Sequence, residues 1–220
     1  MYQWDFAFLW SYRWLFLKGL GVTVAFTVGI VLLGLVIGQL AALAKLSKWA
    51  PLRILSHTYI ELFRCTPVLV QLVWFYYALP VLSGIEISAV SAAMLALSLY
   101  GGSFYAEIIR GGIVSIDPGQ TEAGAALGMT PFQTMRRIIL PQAFKRMVPP
   151  LMNQSIIQFK NTSLVSVLAV PDLLYQGQVA AHDSYRPLEV YTAIAVAYFV
   201  ILYPLTILVR KGEEALARND

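Results

Sequence analysis

The sequence predicts an all-α membrane protein with five transmembrane helices, and three observations predict it. First, 58% of the 220 residues are hydrophobic and 13% are charged, about half the roughly 25% charged share of soluble domains. Mean hydropathy is +0.67. Second, the apolar residues gather in five runs, each close to the ~20 residues needed to cross a bilayer. Third, the basic residues sit in short loops beside those runs. A net charge of +4 placed that way sets membrane orientation and is a poor footprint for nucleic acid.

The first predicted span, 19–44, carries no charge. Its Gly34-x-x-x-Gly38 marks a close-packing face, within the subunit or toward another copy. The second, 54–79, carries His57, Glu61, Arg64 and Gln71. Glu61 and Arg64 stand at i,i+3 and are expected to pair. The third, 88–109, repeats that spacing in Glu107 and Arg110. The fourth, 147–170, is interrupted by Lys160 and Asn161, and the fifth is 190–209. Residues 1–18 are then an external segment, 19–209 a single membrane domain, and 210–220 a cytoplasmic tail. Trp49, Trp74, Tyr76 and Tyr77 fall near span ends as interfacial anchors. The N-terminus lacks the basic stretch and cleavage site of a removable signal. A lone Cys65 allows neither an internal disulfide nor a cysteine metal cluster. His57 and His182 have no companions at metal-ligand spacing.

Five spans put the termini on opposite sides. With the first loop, the middle loop and the C-tail inside, eleven of the 16 basic residues are cytoplasmic: Lys45, Lys48, Arg53, Arg110, Arg136, Arg137, Lys145, Arg146, Arg210, Lys211 and Arg218. Arg13, Lys18 and Arg186 lie outside, and Arg64 and Lys160 within spans. The asymmetry places the N-terminus outside.

The middle loop contains Glu122-Ala123-Gly124-Ala125-Ala126-Leu127-Gly128, followed by Ile138-Ile139-Leu140-Pro141. Residues 117–120 read as a turn and Thr121 as the cap of a helix from Glu122. Ala123 and Ala126, at i,i+3, give a small docking face, and Gly128 suits a helix end. Pro131 starts a second helix whose basic end, Arg136 and Arg137, favours a C-terminus or a lipid headgroup. An ordinary cytoplasmic hairpin is the plain alternative. This segment resembles the E-A-A-x3-G-x9-I-x-L-P signature of permease subunits of bacterial ABC importers, with Gly124 in place of the second Ala. Three further stretches, 61–71, 103–113 and 160–165, resemble the polar amino acid branch. Cys65 replaces a common Gly, and Asn161 stands where many relatives carry Asp.

The resemblance implies a type I ABC importer permease fold in the bacterial inner membrane. It implies docking to two ATPase subunits through Glu122, Ala123, Ala126, Leu127, Gly128, Leu140 and Pro141. It also implies a second permease subunit, an external binding protein, and a polar amino acid as cargo. ATP and magnesium belong to the partner ATPase, since the chain has no phosphate loop and is expected to hold no cofactor.

Ionisable groups inside spans are costly and face a cavity or a partner. Glu61, Arg64, Glu107, Lys160, Asn161 and Ser163 are therefore the candidate substrate contacts, with internal ion pairs and interhelical hydrogen bonds as the alternative. Asn161 and Ser163 offer the donors and acceptors that a zwitterion needs, and the family resemblance places substrate contacts in this span. Two other classes compete: an ion-gradient-driven secondary transporter or channel subunit, and an intramembrane enzyme. The enzyme lacks a nucleophile–base pair or metal set, so catalysis is not expected.

Overall fold

The computed structural model describes residues 2–217, and the elements of those residues are helices and turns. Met1 and residues 218–220, including Arg218 of the cytoplasmic basic set, lie outside the described residues. A short 3-10 turn, Ala7–Tyr12, leads into α1, Arg13–Lys45. At 33 residues α1 is about 50 Å long. It lies along α4, Ala89–Val114. The two approach closely because glycines stand where a side chain would collide. A Cβ on Gly38 would lie 2.6 Å from Tyr105 Cβ and 2.9 Å from the Gly102 carbonyl. Gly34 would meet the Tyr105 ring. The Gly34-x-x-x-Gly38 motif therefore packs inside the subunit. Phe26, Ile30, Leu72, Ala93, Leu97, Val165, Leu168 and Val170 form the core cluster.

The predicted second span, 54–79, is not one helix. It is α2, Ala50–Cys65, and α3, Val68–Ser83, bent by 107°. The cause is Pro67, which pushes Thr66 to the extended region, φ −108° and ψ 141°. A break in hydrocarbon leaves carbonyls without partners. Gln71 supplies them: its Nε2 donates to the Phe63 carbonyl at 2.8 Å and the Thr66 carbonyl at 3.0 Å.

Pro118–Ala126 is α5 and Pro131–Thr134 is α6. A π turn, Met135–Ile139, joins α6 to α7, Leu140–Asn161. The helix expected to end at Arg136 and Arg137 thus runs on, and the fourth helix starts seven residues before the predicted 147. After Asn161 the chain tightens into a 3-10 turn, Thr162–Leu168. Ala169 at φ +56° ends it, and Asp172 caps α8, Leu173–Ser184, by accepting from the Tyr175 N–H at 2.8 Å. This pair bends by 48°. The last helix, α9, is Pro187–Ala217. Helical structure therefore enters both flanks, predicted at 1–18 and 210–220.

Among the described residues, three helices are long and apolar enough to cross a membrane alone, and the two bent pairs raise the number to five. At the other end of the bundle from Lys45, the buried Glu189 carboxylate accepts from Tyr2 and pairs with Arg186 at 3.1 Å. That hydrogen bond raises the Tyr2 hydroxyl above its ordinary pKa.

Two outcomes test this arrangement. Reporter fusions after Lys48 and Gln133 should read as cytoplasmic, and fusions near Ser83 and Asp183 as external; a cytoplasmic reading at Asp183 would overturn the five-span topology. Gln71→Leu keeps the bulk but strips the break of its donor. It should lower stability by about 1–3 kcal/mol, measured as a fall in the thermal midpoint of the detergent-solubilised protein.

Candidate functional site

The hairpin between α4 and α7 is built from the backbone outward. Helix α5 begins at Pro118, and its cap is Asp117, whose carboxylate accepts from the Gly119 N–H at 2.7 Å. The residues expected to be a turn are thus the cap and first turn, and Thr121 lies inside the helix. The helix ends in a Schellman pair: Gly128 N–H donates to the Ala125 carbonyl at 2.9 Å and Met129 N–H to the Gly124 carbonyl at 3.0 Å. Gly128 sits at φ +73° with open space where a side chain would go. Thr130 and Gln133 then form a capping box for the next helix, with Pro131 at its start.

Gly124 explains its own departure from the alanine of the signature. It is the buried residue of α5, and a Cβ there would lie 2.7 Å from Thr134 Oγ1 and 2.8 Å from Thr134 Cγ2. The missing methyl lets α5 fold onto α6. The base of the hairpin is a cluster of Ile116, Ile139, Ala143 and Met147. The upper surface is the reverse: Glu122, Ala123, Ala126 and Gly128 are exposed, Leu127 is 78% exposed and Phe132 72%. Leu140 is 39% exposed, and Pro141 is exposed beside it. An apolar top on a structured, rigidly capped base is the form of a docking surface.

The second cluster lies where α7 tightens. Gln158, fully buried, donates from Nε2 to the Leu97 carbonyl at 3.0 Å and accepts from Asn161 Nδ2 at 3.0 Å. Gly101 admits it, since a Cβ there would fall 2.0 Å from Gln158 Nε2. Thr162, Ser163 and Ser166 each donate to the carbonyl three residues back. Those hydroxyls satisfy the backbone of the α to 3-10 transition. Among the described residues, Asn161 Oδ1, its second N–H and the Ser163 lone pairs have no hydrogen-bond partner. Lys160 is exposed and has no carboxylate partner among the described residues. Gln158 was not singled out from the sequence; the paired Gly101-Gly102 was the available signal.

The remaining candidates do not join this cluster. Glu107 is an ion-pair hub: Lys45 Nζ lies 2.6 Å from one oxygen and Arg110 Nη2 3.0 Å from the other. It is six residues along α4 from Gly101, about 9 Å toward the α5–α6 hairpin. Glu61 and Arg64 do not form the expected pair. Arg64 lies over the Phe104 ring at 5.5 Å, and Glu61 is 3.8 Å from His57 Nδ1. Packing against α4 offered Arg64 an aromatic face that a single helix does not have.

Comparison with known proteins defines the class. Residues 13–216 match the model of the "binding-protein-dependent transport system inner membrane component". The chain belongs to that family. It is similar to the glutamine transport system permease protein of Escherichia coli K12, 38% identical over 216 residues, covering 97% of this chain and 98% of that one. The arginine transport system permease protein of Bacillus subtilis 168 is 35% identical, covering 93% of each. A crystal structure titled as an amino acid ABC transporter with histidines matches with a TM-score of 0.92 at 37% identity, over 97% of this chain and 100% of that one. The methionine ABC transporter MetNI, at 23% identity and a TM-score of 0.77, shows the shared fold. The chain is therefore the inner-membrane permease component of an ABC-type importer, and is a transport protein and not a catalyst. Membership decides against the ion-gradient alternative.

Two glycines separate packing from backbone strain in the hairpin. Gly124→Val drives a side chain into Thr134 and should cost about 1–3 kcal/mol and most of the uptake. Gly128→Val meets no neighbour but is strained at positive φ, by about 1–2 kcal/mol. Gly128→Asn, which tolerates that region, should retain uptake. Transport assays at equal membrane expression check the order Asn, then Val.

Proposed function

We propose that this subunit imports a polar amino acid, driven by ATP hydrolysed on separate subunits. The observation that carries the reading is the α5–α6 hairpin, structured beneath and apolar above, with Leu127 and Phe132 exposed. An apolar tip outside the bilayer suits a cleft in another protein. Two ATPase subunits, each binding its own ATP and magnesium, would receive this hairpin and that of a second permease, identical or related. An external binding protein would deliver the cargo. The five spans would run with the N-terminus outside and the C-terminus cytoplasmic.

The mechanism is alternating access. Closure of the ATPase dimer draws the two hairpins together. Each hairpin is continuous with α7 through the π turn, so its displacement is transmitted along a rigid element to Asn161. Hydrolysis lets the helices return and the site face inward.

The cargo reading rests on the Asn161 region. The two named permease relatives are glutamine and arginine transport proteins, and those cargoes share an α-ammonium and an α-carboxylate. Asn161 Oδ1 suits the first, and Lys160 or the remaining Asn161 N–H the second. Without an aspartate at this position the site carries no negative charge of its own to favour a cationic side chain.

Asn161→Asp should shift preference toward basic cargo, since a charge pair at 4 Å is worth about 4 kcal/mol at an effective dielectric near 20. Asn161→Leu should depress uptake of every cargo. Uptake of glutamate, glutamine and arginine, with the matching binding protein, reads both. Affinities measured on the complex without that protein remove its filtering. If both variants match the parent in both assays, Asn161 only packs.

A further inference from the structure

A cavity of about 380 Å3 opens at the end of the bundle that carries the cytoplasmic hairpin, lined by Lys45, Leu46, Arg53, Ile54, His57 and Arg110. Its cations come from three elements: Lys45 ends α1, Arg53 lies near the start of α2, and Arg110 is in the last two turns of α4. Glu107 at its rim is the carboxylate that answers them, with its two oxygens held by Lys45 and Arg110. Glu61 reaches no closer than His57, at 3.8 Å. Arg53 has no ion-pair partner among the described residues. Three fixed cations thus face one carboxylate. The start of α2, a 16-residue helix whose N-cap Trp49 offers no side-chain acceptor, adds the positive end of its dipole.

We propose that this cavity binds the phosphodiester headgroup of an anionic phospholipid of the cytoplasmic leaflet. Leu46 and Ile54 line the same cavity as the cations, Ile54 and Leu55 are 62% and 69% exposed, and Trp49 beside them is 62% exposed. A free phosphate makes no use of that apolar wall. A lipid does, with its phosphate among the cations, its glycerol on Leu46 and Ile54, and its chains along α2. Trp49 then sits at headgroup depth. The bound lipid bridges α1, α2 and α4 two helical turns before α5 begins. Occupancy therefore stiffens the frame from which the hairpin hangs. The proposal is independent of which cargo is carried.

The permease is purified with its associated subunits, and phosphatidylglycerol and phosphatidylcholine of the same acyl chains are added in equal amounts. Native mass spectrometry then reads the retained lipid. Phosphatidylglycerol should be retained in preference. Arg53→Gln should lower that retention about fivefold, the weight of one cation near a charged surface. Arg53→Lys should keep most of it, and Lys48→Gln, a cytoplasmic cation outside the cavity, should leave it unchanged. Inorganic phosphate at millimolar concentration should not displace the lipid. Equal retention of both lipids overturns the proposal. So does an equal effect of Arg53→Gln and Lys48→Gln, which would mean diffuse surface charge. Displacement by inorganic phosphate overturns it too, by assigning the cavity to a free anion.

Discussion

A backbone carbonyl or N–H in hydrocarbon has no water to turn to, and each one left open costs several kcal/mol. The irregular segments of this protein are arranged around that constraint. Where Pro67 breaks the second predicted span, Gln71 reaches back to close the freed carbonyls of Phe63 and Thr66. Where α7 gives way to a 3-10 turn, the hydroxyls of Thr162, Ser163 and Ser166 serve the same end. Polar residues in a membrane span are thus of two kinds. Some satisfy the chain itself, and others keep polar atoms in surplus. Asn161 keeps an acceptor and a donor beyond its bond to Gln158, whereas the Ser166 hydroxyl proton is spent on the Ser163 carbonyl.

The same economy of side chains sets the frame. Gly34, Gly38 and Gly102 bring α1 and α4 into contact, Gly101 admits Gln158, and Gly112 lies against Met147, where a Cβ would fall 2.1 Å from Met147 Cγ. Helices in lipid gain little from hydrophobic exclusion, so close van der Waals approach holds them. Helix α4 is consequently the strut on which α1, α2 and α7 rest. Its C-terminal end carries the Glu107 ion pairs and leads through Ile116 to the α5–α6 hairpin. Displacement of the hairpin therefore meets a rigid element on each side: α4 through the loop and α7 through the π turn.

The hairpin shows how a departure from a signature is absorbed. Gly124 lacks the methyl of the expected alanine, and Thr134 fills the space. The exposed face formed by Ala123, Ala126 and Leu127 is untouched by that exchange. The change is confined to the inner packing.

The sequence by itself determined that the chain is helical and membrane-embedded, that a capped hairpin stands between the third and fourth apolar runs, and that Asn161 marks a polar interruption. Composition, spacing of apolar runs and motif order are properties of the chain in one dimension and are legible there. Tertiary structure decided the rest. Glu61 and Arg64 stood at pairing distance on paper, yet Arg64 turned to Phe104, because a neighbouring helix offered a ring that sequence separation hides. Gly34 and Gly38 were equally suited to a partner copy or to α4, and only assembly chose. Pro67 broke the second span, and the fold turned the Gln71 amide back onto the carbonyls that the break had freed. Gln158 became a central residue because Gly101, 57 positions earlier, left it room. A side chain's role in lipid depends on which polar groups are within about 3 Å of it, and that neighbourhood exists only once the helices have packed.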